Sequence, residues 1–136
     1  MKIVGSVLWF FLLCGIACAQ TYPQGATPIV AVGTGTTGSV SATLQAPSGV
    51  TTRTVFICGF EVSVVGGTAN AAVTVSGLVG GTTMTFQLTS ATAAQNLIQP
   101  LNPCIPANGV NTNIVVNAPG FSGASADDVN AWGYVQ

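Results

Sequence analysis

The stretch Arg53-Thr54-Val55-Phe56-Ile57-Cys58-Gly59-Phe60-Glu61-Val62-Ser63-Val64-Val65 decides the fold class. Phe56, Cys58, Phe60, Val62 and Val64 occupy alternate positions, which an extended chain places on one face, and Glu61 and Ser63 fall on the other. Val55 and Ile57 make the first half apolar on both faces, the mark of a strand in the middle of a sheet. Gly66-Gly67 follows and reads as a hairpin turn.

Period-two alternation recurs on both sides of this stretch. Upstream, Val40, Ala42 and Leu44 alternate with Ser39, Ser41 and Thr43 until Pro47-Ser48-Gly49 interrupts them. Residues 20–38, rich in Gly, Thr and Pro, read as a flexible N-terminal arm with one short apolar piece at 28–32. Downstream, Val73 and Val75 point inward from a strand at 71–78, and Gly80-Gly81 reads as a second hairpin turn. Met84, Phe86 and Leu88 then alternate with Thr83, Thr85, Gln87 and Thr89. Residues 90–96 read as a loop or a single helical turn. Residues 97–101 read as a short edge strand stopped by Pro100, Pro103 and Pro106, which cannot donate to a ladder. Ile114-Val115-Val116 forms a further strand, 119–126 a flexible loop, and 128–136 a last strand with Trp132 and Tyr134 on one face. About eight short strands, with turn signals every 8–12 residues, predict an all-β domain over 39–136: a single β-sandwich, jelly-roll or immunoglobulin-like, with the strand number leaning toward the jelly roll.

The N-terminus predicts the compartment. Met1-Lys2 is followed by an uncharged apolar run from Ile3 to Ile16 and then by Ala17-Cys18-Ala19. This is the three-part pattern of a secretory signal peptide over 1–19, with cleavage before Gln20. The run is shorter than the ~20 residues that span a bilayer. The expected location is therefore secreted, extracellular or periplasmic, with no membrane attachment once the signal is gone. Cleavage removes Cys14 and Cys18, and Cys58 and Cys104 remain as a disulfide pair in an oxidising compartment.

Charge is nearly absent: two Lys or Arg, three Asp or Glu, and no His in 136 residues. Without Lys2, the cation is Arg53 and the anions are Glu61, Asp127 and Asp128. Such a chain has no basic face for nucleic acid and none for anionic lipid. A surface of Thr, Ser, Asn, Gln, Gly and Ala fits a protein that packs against copies of itself or inside a larger particle, because a free globular domain normally stays soluble through exposed charge.

The same poverty excludes most chemistry. No His means no Ser-His-Asp or Cys-His arrangement. Lys is absent after cleavage, which removes Schiff-base and Ser-Lys mechanisms. Glu61 with Asp127 or Asp128 is the one carboxylate combination available to a glycosidase, and nothing in the sequence brings them together. Asp127-Asp128 falls short of the six or more oxygens that Ca²⁺ takes, and reads as a solvated pair opening a strand. No cofactor or metal is expected, and the chain is not expected to be an enzyme. Trp132 and Tyr134 are either core packing or, with Asp127 and Asp128, a ligand or assembly surface. A glycan is the small partner such aromatics would take.

The segments Phe56-Ile57-Cys58-Gly59-Phe60, Cys104-Ile105-Pro106-Ala107 and Ala131-Trp132-Gly133-Tyr134 resemble small β-rich proteins of bacteriophages and prophages. The resemblance covers about the last two thirds of the mature chain and implies a repeated, non-catalytic module such as a head decoration or a fibre part. The signal-like N-terminus departs from that family, whose members assemble in the cytoplasm. A second resemblance is to chaperone-assembled pilus subunits, which share the signal peptide, the single disulfide and the low charge. There the residues Ile29 to Val32 would be donated to a neighbour, and Tyr134 stands one place earlier than the penultimate Tyr of that family. The expectation is an exported structural module that associates with itself or with a scaffold, on a virion or cell surface. The alternatives are a monomeric carbohydrate- or peptide-binding sandwich and a pilus-like subunit.

Overall fold

In a computed structural model, which describes residues 22–36, 38–67, 70–88, 94–120 and 126–136, the quoted stretch is an interior strand of a two-sheet sandwich. The expected signal peptide and most of the expected loops at 90–96 and 119–126 lie outside the described residues. The strands are β1 (Thr27–Gly35), β2 (Val40–Leu44), β3 (Thr54–Val65), β4 (Ala71–Ser76), β5 (Met84–Leu88), β6 (Gln95–Val110), β7 (Ile114–Ala118) and β8 (Ala126–Val135). One sheet has the order β1-β8-β3-β6 and the other β2-β7-β4-β5. Every ladder is antiparallel.

The pairs β1·β8, β2·β7, β3·β6 and β4·β5 carry strand numbers that add to nine. The chain is thus one long hairpin, turned at β4–β5 and wrapped so that successive pairs alternate between sheets. This is the eight-stranded jelly roll, the first of the two expected topologies. The β4–β5 connection passes through a single 3-10 turn, Val79–Gly81, where Gly80 and Gly81 have φ of 73° and 69°. Gly66-Gly67, by contrast, is not a hairpin turn. It carries the chain from β3 in one sheet to β4 in the other.

The core lies between the sheets, and alternation fills it. Val40, Ala42 and Leu44 from β2, Val73 and Val75 from β4, and Ile114, Val116 and Ala118 from β7 meet Val55, Ile57, Phe60, Val62 and Val64 from β3 and Val129, Ala131 and Val135 from β8. Phe60 and Phe86 meet edge-on with ring centroids 5.0 Å apart. The edges of β1 and β2 close one side of the sandwich. Gly33 lies so near the Ser41 carbonyl that any Cβ there would collide with it. On the other side, Leu78 bridges to Ala107, and Asn108 donates its N–H to the Gly77 carbonyl at 2.9 Å.

Three further features differ from the sequence reading. Residues 27–35, inside the segment read as an arm, form β1, paired over its whole length with β8. Ile29 and Ala31 pack on the core, and the Gly positions that look like linker are where β2 comes close. Next, β3 carries a bulge. Ile57 faces Gly133 and Gly59 faces Trp132, so Cys58 is an extra residue relative to β8. The bulge reverses the parity of the strand: Val55 and Ile57 point inward before it, and Phe60, Val62 and Val64 after it. Phe56 therefore lies on the outer face, not in the core. Lastly, β6 is not a short strand stopped by prolines. It runs Gln95–Val110 along the sheet edge, where a proline with its nitrogen turned outward breaks no ladder bond.

Cys58 and Cys104 form a disulfide, with Cα atoms 4.3 Å apart. It ties β3 to β6 at the irregularity, where residues 101–104 of β6 stand against Cys58 alone. Cys58 is fully buried but lies outside the core cluster between the sheets.

Candidate functional site

The strand order β1-β8-β3-β6 and its registers define four rows of side chains across the outer face of that sheet. The first row is Pro28, Tyr134, Phe56 and Pro106. The second is Val30, Trp132, Gly59 and Pro100. The third is Val32, Asn130, Glu61 and Ile98. The fourth is Thr34, Asp128, Ser63 and Asn96. The face thus grades along its length from two apolar rows, through a mixed row, to a polar one.

The apolar rows are built by local geometry. Phe56 and Tyr134 stack with centroids 4.7 Å apart and planes at 10°. Tyr22 closes over Tyr134 edge-on at 5.6 Å. Gly59 serves the second row: a Cβ there would meet Cζ2 and Cε2 of Trp132, so the missing side chain lets the indole settle onto the backbone. Gly133 serves the bulge, since any Cβ would strike the Phe56 carbonyl oxygen. Around this centre, Val30, Val32 and Ile98 are 77%, 64% and 61% exposed. Scattered exposed aliphatics are ordinary, but these lie in adjacent rows with Trp132, Pro28 and Pro100, and a contiguous patch of that kind marks an interaction surface.

Trp132 and Tyr134 share this outer face, as their spacing predicts; Trp132 is half-buried there, while Tyr134, stacked on Phe56 and covered by Tyr22, is only 7% exposed. Asp128 is exposed on the same face. Asp127 is not part of a solvated pair. It is 1% exposed and has the inward parity of Val129 and Ala131. Glu61 and Asp128 are brought closer than the sequence indicates. As diagonal neighbours on adjacent strands they have Cα atoms about 7–8 Å apart. They stand on the outer face of the sheet, an arrangement that makes a local negative charge. Arg53 sits at the opposite end of the sheet, where its Nη1 donates to Thr27 Oγ1 at 3.1 Å. Phe56, Gly59, Val30 and Ile98 are the residues of this face that sequence reasoning missed, because membership of the face follows from the bulge and the strand order.

Among the described residues, no three His, Cys, Asp or Glu side chains converge on a space that would hold a metal ion. No helix among them is long and apolar enough to cross a membrane. The disulfide is compatible with an extracellular or periplasmic location. No family model, no curated protein and no solved structure matches this chain.

Proposed function

We propose that this protein is an exported, non-catalytic structural module that assembles with copies of itself or with a scaffold, on a virion or cell surface. The observation that carries the reading is the outer face of the β1-β8-β3-β6 sheet, where Val30, Val32 and Ile98 stand highly exposed beside the half-buried Trp132. The near-neutral composition adds to it, since little charge opposes close packing of identical surfaces. The jelly roll is a fold of capsid proteins and lectins alike, so it bears on the virion setting by analogy only. The strand that a pilus-like subunit would donate is paired here in cis, as β1 with β8.

Size-exclusion chromatography with light scattering tests the proposal on the mature chain. The expected result is a mass above the monomer that rises with concentration. Val30→Glu with Ile98→Glu, at two highly exposed positions, is expected to return the monomer without loss of the fold. A wild-type monomer at millimolar concentration would remove the proposal.

One observation favours a second reading. The indole of Trp132 rests on Gly59, and the adjacent row holds Asn130 and Glu61, so a sugar ring stacked on the indole would find hydrogen-bonding groups beside it. On that reading a glycan array gives a hit with wild type that Trp132→Ala abolishes, while light scattering shows monomers in both.

A further inference from the structure

We infer that the free edge of β5 pairs antiparallel with β5 of a second copy, about a two-fold axis at Phe86, and that this contact carries assembly beyond the outer-face contact. The pairing rests on the assembly reading above and adds a second contact with a stated register.

Two sheets of four strands have four edges, and three of them are dealt with inside the molecule. The edges of β1 and β2 meet, where a Cβ on Gly33 would strike the Ser41 carbonyl. Part of β6 is covered by residues 77–78: Leu78 bridges to Ala107, and Asn108 donates its N–H to the Gly77 carbonyl. Elsewhere β6 carries Pro100, Pro103 and Pro106, which have no N–H to offer an added strand. The fourth edge is β5, which has no proline, glycine or charge. Among the described residues, no strand pairs with its far side. Such an edge leaves alternate N–H and C=O groups open, and another extended strand is what satisfies them.

The strand is complementary to itself. Turned about Phe86, Met84 falls opposite Leu88 of the second copy and Thr85 falls opposite its Gln87. Apolar residues then stay on the inner side and polar residues on the outer. Met84 and Phe86 are only half-buried, whereas the inward residues of β2, β4 and β7 are buried, and an added copy of β5 covers them. No strand of the β2-β7-β4-β5 sheet carries a charged residue, so the joined sheet brings no like charges together.

Five residues bring too few hydrogen bonds to offset the freedom lost when two free molecules associate. The β5 edge therefore joins copies only where the outer-face contact acts with it. The two contacts lie on different sheets, so a copy that uses both has two neighbours, and assembly continues past two copies.

Sedimentation equilibrium on the mature chain tests the inference with charges at the outward positions of β5. Thr85→Lys with Gln87→Lys sets lysine against lysine across the two-fold axis. It is expected to weaken the growth step at least about tenfold, leaving a mass that stops rising with concentration. Thr85→Lys with Gln87→Glu sets lysine against glutamate in the same register and is expected to grow at least as well as wild type. Far-ultraviolet circular dichroism confirms that both variants fold. If the double-lysine variant grows as wild type does, or if both variants lose growth alike, the β5 pairing is wrong and the assembly reading stands. A wild type that forms one closed unit of fixed mass likewise overturns the pairing. A monomeric wild type overturns both.

Discussion

Replacing Cys58 and Cys104 together by alanine is expected to lower stability by about 4 kcal/mol and the Tm by roughly 15 °C. The bridge joins residues 46 apart, and closing a loop of that length removes this much conformational freedom from the unfolded chain in the entropy model. The native side of the balance points the same way. Around Cys104, β6 carries Pro100, Pro103 and Pro106, and residues 101–104 have only Cys58 opposite them in β3. That part of the strand is held by the covalent bond more than by ladder hydrogen bonds. Urea unfolding with and without reductant makes the check. Reduced wild type should converge on the double alanine variant, while oxidised wild type stays well above both. A difference under about 1 kcal/mol would mean that β6 keeps its place by packing alone.

Phe60→Ala is expected to cost about 3–5 kcal/mol, the usual loss for a buried phenylalanine. Phe60 is the first inward residue after the bulge and meets Phe86 of the opposite sheet edge-on. Truncation removes the transferred area and also leaves a cavity that flanking strands, fixed by their ladders, cannot fill. Phe60→Leu keeps most of the volume and should cost far less. Chemical denaturation of the two variants separates the cases: equal losses would show that ring geometry at this position, rather than volume, holds the sheets together.

The parts of this fold that were legible are those where one face is apolar and the other polar. Val40-Ser41-Ala42-Thr43-Leu44 and Met84-Thr85-Phe86-Gln87-Leu88 lie in the structure as alternation assigns them. The bulge was illegible for a physical reason: residues 55–58 are all apolar, so either parity yields a plausible core face. Phe56 was misplaced by that degeneracy. The prolines of β6 misled because the rule against proline in a strand is a rule about which way the nitrogen points, and that depends on neighbours. The burial of Asp127 could have been read, since it shares the two-residue period of Val129 and Ala131. The outer face could not. Val30, Trp132, Gly59 and Pro100 come from four strands, and only the order β1-β8-β3-β6 sets them in one row.

The nested pairing of strands also fixes a timetable. Only β4 and β5 are neighbours in sequence, and each pair outward from them spans more chain, until Thr27 must wait for Val135. Long-range pairings are slow because chain closure comes before any gain from contact. A polypeptide threaded N-terminus first through a translocation pore would therefore emerge with β1 unable to settle until β8 had followed. Such an order of pairing would keep a translocating chain pliable and let the fold lock at the end, with the first strand to emerge among the last to find its place.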